Sequence, residues 1–218
     1  MATQSGTDND DILVGTTGVD TINGGAGNDT ITGGLGVDTL NGGAGNDIFI
    51  ITADELVDQG GYKSSLNGFS TNYYTELVTV DSISGGDGTD TLYLEFDASQ
   101  SGVIYFPEAS LSGVETVDFD GEPYSLQIFV DISVWNSVDN WNLATNSSSG
   151  NSLAIVGDGS DVNLDALESS DTHGYSVNFH GSFDDVDLTN TVATIDSYST
   201  DSLNSFTGSA VDDLVTVA

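Results

Sequence analysis

One aspartate recurs at nine-residue intervals near the N-terminus, with glycines before it and a large apolar residue two places after it. The blocks are GTTGVDTIN (15–23), GGAGNDTIT (24–32), GGLGVDTLN (33–41) and GGAGNDIFI (42–50). Each follows G-G-x-G-x-D-x-U-x, where U is the apolar residue, except that Thr16 stands at the second glycine position of the first. SGTDNDDIL (5–13) reads as a degenerate copy preceding them, with Asp8 in place of the third glycine, and GGDGTDTLY (85–93) as a sixth copy without an adjacent repeat. The aspartates aligned in this way are Asp10, Asp20, Asp29, Asp38, Asp47 and Asp90. Carboxylates brought together repel one another unless a cation lies between them. Calcium suits such a place, because it takes six to eight hard oxygen ligands in a flexible arrangement.

The pattern resembles the calcium-binding nonapeptide repeat of the RTX (repeats-in-toxin) family, and the resemblance implies a parallel β-roll. The first six residues of a block then form a tight turn and the last three a short strand. Glycine recurs because the turn needs positive φ and close approach of its neighbours. Ile22, Ile31, Leu40 and Phe49 point inward, and Thr21, Thr30 and Thr39 outward. Two blocks make one coil, so Asp10, Asp29 and Asp47 are expected along one edge and Asp20 and Asp38 along the other. The family implies one calcium ion between consecutive stacked turns, held by the position-six aspartates and by turn carbonyls, here those of Gly24, Ala26, Gly33, Leu35, Gly42, Ala44, Gly85 and Asp87. Asp90 lacks a visible partner turn. A flexible glycine-rich linker has no reason to repeat Asp, Thr and an aliphatic residue at fixed offsets.

Composition narrows the rest. The chain of 218 residues has 35 acidic residues against one basic residue, Lys63, for a formal net charge of −34. Salt bridges cannot hold such a fold, and nucleic acid or anionic lipid would find no cationic surface. Self-repulsion destabilises the compact state until cations bind. With no cysteine, metal crosslinks take the place of disulfides. Residues 1–14 lack the basic stretch and apolar core of a signal peptide, and no apolar run is long enough to span a membrane. The expectation is a secreted protein, at the cell surface or beyond it, exported by the one-step route typical of the RTX family. The end, 208–218, resembles the acidic-then-apolar signal of that route and also the opening of one more degenerate repeat.

Four regions are expected: an RTX β-roll over 1–51, closed by Phe49-Ile50-Ile51; an inserted segment over 52–82, whose Tyr73 and Tyr74 suit covering the roll; an isolated repeat at 83–96; and a β-rich region over 97–218. In the last, VIYF (103–106), VETVDF (114–119), LQIFVDISV (126–134), SLAIVG (152–157), YSVNF (175–179), VDLTN (186–190) and DLVTV (213–217) are short and β-branched. They predict an all-β continuation, as an irregular solenoid or a sandwich, with at most a single helical turn near 160–171. LSGVETVDF (111–119) resembles strands that follow RTX repeats in surface-layer and adhesin-like proteins.

Signs of catalysis are few. His173 and His180 lack zinc spacing, neither a G-x-S-x-G elbow nor an H-E-x-x-H motif occurs, and acid pairs such as Asp118 with Asp120, or Asp184 with Asp185, are expected by chance in so acidic a chain. Trp135 and Trp141 fit a local core or cap better than a sugar-stacking platform. The sequence therefore predicts a calcium-binding, non-enzymatic structural protein that associates with itself as a homo-oligomer, array or filament, with cell-surface polysaccharide as a further partner. The alternatives are a calcium-stabilised adhesin or carbohydrate-binding module, and the RTX and export portion of a secreted enzyme.

Overall fold

Glycine-rich turns alternating with short β-branched strands leave the chain one economical way to bury its apolar residues, which is to wind strands of like direction on top of one another. The computed structural model describes residues 1–52, 77–79, 81–95, 101–108, 110–120, 125–142, 152–158, 162–163, 167–168, 176–187, 194–197, 203–207 and 214–217. Its strands are β1 (Thr3–Ser5), β2 (Ile12–Val14), β3 (Thr21–Ala26), β4 (Thr30–Thr32), β5 (Thr39–Ala44), β6 (Ile48–Ile51), β7 (Leu77–Thr79), β8 (Ser82–Asp87), β9 (Thr91–Glu95), β10 (Ser101–Phe106), β11 (Leu111–Ser112) and β12 (Thr116–Asp120). After β13 (Ser125–Asp131) a single helical turn, α1 (Ile132–Trp135), precedes β14 (Asn140–Asn142). The remaining strands are β15 (Ser152–Asp158), β16 (Val162–Asn163), β17 (Leu167–Glu168), β18 (Ser176–Asp187), β19 (Thr194–Ser197), β20 (Leu203–Thr207) and β21 (Leu214–Val217).

Every strand pairing among the described residues is parallel, which makes the whole a solenoid rather than a sandwich. One sheet runs β1-β3-β5-β8-β11 and a second runs β2-β4-β6-β9-β12-β14-β17. The third runs β7-β10-β13-β15-β18-β19-β21, with β16 and β20 also paired to β18. The first coils have two faces and advance 18 residues per turn, so that Thr3, Thr21 and Thr39 stand side by side. From β7 onward a third face is added, and Asp90 meets its counterpart Glu115 only 25 residues later.

The inward residues form continuous columns. Ile22, Leu40, Ile83 and Leu111 stack in the first sheet, and Leu13, Ile31, Phe49, Leu92, Val117 and Trp141 in the second, all buried. Ile51, Leu94 and Phe119 add another column beside the latter, and Ile104 with Ile128 and Phe106 with Val130 and Ile155 line the third sheet. Phe49-Ile50-Ile51 thus does not close the roll. It lies mid-sheet, with β9 hydrogen-bonded beyond it. Likewise the repeat at 83–96, isolated in sequence, is stacked directly on β5 and β6.

One local expectation is also corrected. A helical turn lies at 132–135, and of the stretch 160–171 the described residues 162–163 and 167–168 pair as strands β16 and β17. The stretch 126–134, expected as one strand, breaks at Asp131. Ile132, Val134 and Trp135 of α1 are buried, and the turn occupies the part of the coil where the preceding coil carries β11, so the first sheet ends there. Trp135 and Trp141 belong to the core. Their rings stack at 5.0 Å and 8°, and Phe106 meets Trp141 edge-on at 5.6 Å. Of the segment 52–82 expected as an insertion, the described end is part of the coils, as β7 and the start of β8, while Tyr73 and Tyr74, as well as Lys63 and His173, lie outside the described residues.

The aromatic cluster yields the first prediction. Trp141→Ala removes a fully buried ring and should destabilise the three-faced coils by about 3–5 kcal/mol, with a drop in the temperature at which tryptophan fluorescence shifts. A loss below about 1 kcal/mol would show that the ring is not core.

Candidate metal centre

Each coil edge carries one carboxylate per coil, and one of its oxygens is used to lock the coils in register. The backbone N–H of Asp11 donates to Asp29 Oδ1 (2.8 Å), that of Asp29 to Asp47 Oδ1 (2.8 Å), that of Asp47 to Asp90 Oδ1 (2.7 Å) and that of Asp90 to Glu115 Oε2 (2.7 Å). On the other edge Ala2 donates to Asp20 Oδ1 (2.5 Å), Asp20 to Asp38 Oδ1 (2.7 Å) and Asp38 to Asp81 Oδ1 (2.8 Å).

This corrects the first block. It spans 6–14, not 5–13, and its edge residue is Asp11. Ile12, which the earlier register would bury, is 81% exposed, while Leu13 is buried against Ile31. Asp10 sits one position away from the edge, in a separate ladder of side-chain oxygens. There Asp10 Oδ1 accepts the N–H of Asn28 (2.7 Å), Asn28 Oδ1 that of Asn46 (2.8 Å) and Asn46 Oδ1 that of Thr89 (3.0 Å). Consecutive aspartates at 10 and 11 allowed either alignment, and the inward Leu13 decides it.

The second carboxylate oxygen is where a ligand is missing. Asp29, Asp38, Asp47 and Asp90 are at most 1% exposed, and the Oδ2 atom of each is buried without a hydrogen bond. A buried unpaired charge is costly. At Gly24 a side-chain carbon would lie 2.5 Å from the carbonyl oxygen of Gly42 and would collide with Asp29 Oδ2. At Gly42 it would lie 2.7 Å from the carbonyl oxygen of Gly85 and collide with Asp47 Oδ2, and at Gly85 it would collide with both Gly113 O and Asp90 Oδ2. A carboxylate oxygen and a carbonyl oxygen of the next coil therefore converge on one small space, which the missing Cβ keeps open. Gly43, at φ +112° and against the Gly25 carbonyl, shows why the turn itself also needs glycine.

Of the other expected carbonyl donors, Ala44 and Asp87 accept the N–H of Gly27 and Gly45 (both 2.8 Å), which uses one lone pair of each. Among the described residues no group of three or more acidic, histidine or cysteine side chains clusters as a metal site. The donors come instead one carboxylate at a time, with backbone oxygens, a set that suits a hard cation.

The two N-terminal turns are built differently. Thr7 donates its N–H (2.7 Å) and hydroxyl (2.8 Å) to Asp11 Oδ2, and Thr16 does the same for Asp20 Oδ2 (2.6 Å each). Threonine at the second glycine position supplies the partner that the later turns lack. The Thr16 hydroxyl, ahead of the Ala2 and Thr16 N–H groups, holds the Asp20 carboxyl below its ordinary value despite its burial. Burial pushes the carboxyls of Asp38, Asp47 and Asp90 up, with the neighbouring carboxylates Asp20, Asp29, and Asp47 and Glu115 adding to the rise.

Sequence reasoning missed Asp81 and Glu115. The signal for Asp81 was present, since Val80-Asp81-Ser82-Ile83-Ser84 repeats the tail of Val19-Asp20-Thr21-Ile22-Asn23 and Val37-Asp38-Thr39-Leu40-Asn41. Glu115 lies in the VET phrase and takes the aspartate's place one methylene longer.

Parallel two-faced coils with an acidic column on each edge define a β-roll of metal-binding type. Residues 5–40, 14–49 and 80–98 match the RTX calcium-binding nonapeptide repeat, in four copies, and these repeats bind calcium. No curated protein and no solved structure matches the chain.

The raised carboxyls give a pH prediction of definite sign. Asp38, Asp47 and Asp90 hold a proton more readily folded than unfolded, so the metal-free fold gains stability as pH falls through their raised values towards the ordinary 3.8 and loses it as pH rises. Asp20 acts oppositely, its contribution being lost as pH falls from about its ordinary 3.8 through its lowered value. Denaturation in chelator should therefore show higher stability near pH ~4.5 than near pH ~7.5. With calcium saturating at pH ~7.5, acidification should instead cost stability, because protons compete with the ion. Equal slopes with and without calcium would contradict this.

Proposed function

We propose that this is a secreted, calcium-dependent structural protein that assembles with copies of itself into an extracellular or cell-surface array. The ions lie where Oδ2 of Asp29, Asp47 and Asp90 meets the carbonyls of Gly42, Gly85 and Gly113, and at Asp38. RTX-repeat proteins are typically secreted, and no helix among the described residues is long and apolar enough to cross a membrane.

The observation that carries the assembly reading is the distribution of charge. In a chain of net charge −34, the outer face of the first sheet is neutral: Thr3, Thr21, Thr39 and Ser82 form one outward row, and Ser5, Asn23, Asn41 and Ser84 the next. Asn41 also donates to Asn23 across the coils (2.8 Å). The outer face of the second sheet begins with Ile12, Val14, Thr30, Thr32, Ile48 and Ile50, of which Ile12 and Val14 are well exposed on the edge strand β2. Apart from Asp87 at the end of β8, the described acids of this region lie in the turns rather than in these outward rows. Two neutral, flat faces and an open edge strand suit packing against another copy. The hydroxyl and amide rows also favour a second reading, a carbohydrate-binding adhesin module with cell-surface polysaccharide as ligand.

Two outcomes follow. Asp29→Ala and Asp90→Ala should weaken calcium binding to a similar extent in calorimetry, since both residues are buried in the same stacked column, whereas Asp10→Ala should leave the ion count unchanged. A marked loss at Asp10 would undo the ligand assignment. Light scattering should show oligomers, sheets or filaments at millimolar calcium and none in sodium at matched ionic strength, because monovalent salt screens carboxylates on neighbouring molecules but does not bridge them. A strict monomer in calcium at high protein concentration would remove the array and leave the adhesin module.

A further inference from the structure

We infer that Asn23-Gly24 and Asn41-Gly42 are self-modification sites under calcium control. With the ion bound both asparagines persist. Without it they deamidate, and the roll loses its capacity to take the ion up again. The control rests on the calcium reading above; the covalent chemistry does not.

In an Asn-Gly pair the glycine nitrogen has no side chain beside it and a freely rotating backbone. It attacks the asparagine Cγ. A C–N bond forms, the side-chain nitrogen leaves as ammonia with the glycine's proton, and a five-membered succinimide remains. Water then opens one of the two ring carbonyls. One product is aspartate. The other is isoaspartate, in which the main chain runs through Cγ and is longer by a methylene. Water is the only further reactant.

The fold explains why these pairs stand where they do. Asn23 and Asn41 lie in the outward row Ser5, Asn23, Asn41 and Ser84 of the first sheet. Glycine must follow them, since a side-chain carbon at Gly24 would collide with Asp29 Oδ2 and one at Gly42 with Asp47 Oδ2. The glycines that keep the ion's space open are therefore the ones that make their neighbours reactive. Ser5-Gly6 and Ser84-Gly85 occupy the same row with no amide to lose.

The folded coils oppose the attack. Both pairs lie inside strands, β3 and β5, where an extended backbone turns the side chain out of the sheet and the next N–H along it. At the same place in the first two blocks, the N–H groups of Gly6 and Gly15 donate to the Asn23 and Thr32 carbonyls of the next coil (both 2.8 Å). Gly24 and Gly42 are buried, and Asn41 Nδ2 donates to Asn23 Oδ1 (2.8 Å), which ties the two side chains together. Succinimide formation thus requires β3 and β5 to part. The edge column decides how readily they do, because Asp29 and Asp47 repel their neighbours unless a cation meets their unpartnered Oδ2 atoms.

The damage falls on the ion site itself. Isoaspartate at 23 lengthens the main chain between Ile22, in the core, and Gly24, beside Asp29 Oδ2. Strict alternation of inward and outward residues then fails at that point, and the coil cannot hold both in register. Either product also adds a carboxylate to a neutral row. A period without calcium is in this way recorded in the covalent chain.

The test ages the full chain at mildly alkaline pH in chelator or in millimolar calcium, and peptide mapping by mass spectrometry reads aspartate and isoaspartate at 23 and 41. Both should accumulate about tenfold or more faster in chelator, where the strands open. Chelator-aged chain returned to calcium should bind fewer ions in calorimetry than fresh chain. Asn23→Ser combined with Asn41→Ser, which places the residue of positions 5 and 84 throughout the row, should largely abolish that loss. Equal rates in calcium and in chelator, in a chain that calorimetry shows to bind calcium, would overturn the inference, as would an undiminished loss in the serine variant. Fresh wild-type chain that binds no calcium would overturn the calcium reading instead, so the two failures are distinct.

Discussion

The structure depends on one electrostatic constraint. Parallel coiling places like residues directly above one another, about 4.8 Å apart, so an aspartate that recurs once per coil becomes a column of buried negative charge. At an effective dielectric constant of about 20, two unit charges at that distance repel by roughly 3–4 kcal/mol. The backbone N–H of each preceding aspartate offsets part of this through Oδ1. Oδ2 has no such partner at Asp29, Asp38, Asp47 and Asp90. The glycine at the head of each block leaves room next to that oxygen, and the carbonyl of the next coil points into it. Among the described residues of the repeat, these four oxygens are the buried side-chain atoms left without a hydrogen bond, at positions that suit a hard cation.

The second half of the fold solves the same stacking problem with apolar burial. A two-faced coil encloses little more than one apolar side chain per face, Ile22 opposite Ile31 or Leu40 opposite Phe49. Adding a third face widens the cross-section enough to admit Phe106, Phe119, Trp135 and Trp141, all buried. Each of these rings contributes more transfer free energy than the aliphatic residues they follow in the columns. The chain passes from a roll with buried carboxylates along its edges to a solenoid with a wider apolar core, and the repeat at 85–93, with Asp90 and Leu92 both buried, carries both features.

Much of this was legible in the sequence, because the nonapeptide fixes residue type and offset at once. The inward column Ile22, Ile31, Leu40 and Phe49 and the outward threonines follow from it directly. The misplacement of Asp10 has a definite cause: with acids at both 10 and 11, the acidic pattern alone is ambiguous, and only the choice between Ile12 and Leu13 as the buried residue separates the registers. Asp90 seemed partnerless because stacking was judged by adjacency in sequence. A solenoid tolerates long excursions between strands that are neighbours in space, since loop closure costs grow slowly with length. Asp81 was hidden for the same reason, its tail motif intact but its glycine turn gone. The helical turn at 132–135 was not legible, because ISVW is β-branched and aromatic and its local preference is for strand. Burial of Ile132, Val134 and Trp135 overrides that preference.

The two ends of the acidic column are built differently. At the N-terminal end Thr7 and Thr16 replace the second glycine of their blocks and turn a backbone N–H and a hydroxyl onto Asp11 and Asp20. At the other end Glu115 reaches the Asp90 N–H from a coil that no longer has the glycine turn, and from there the core holds the coils in register. The substitutions that look like decay of the repeat at either end, threonine for glycine and glutamate for aspartate, each supply a hydrogen-bond partner to the edge column: Thr7 and Thr16 to the carboxylates of Asp11 and Asp20, Glu115 to the N–H of Asp90.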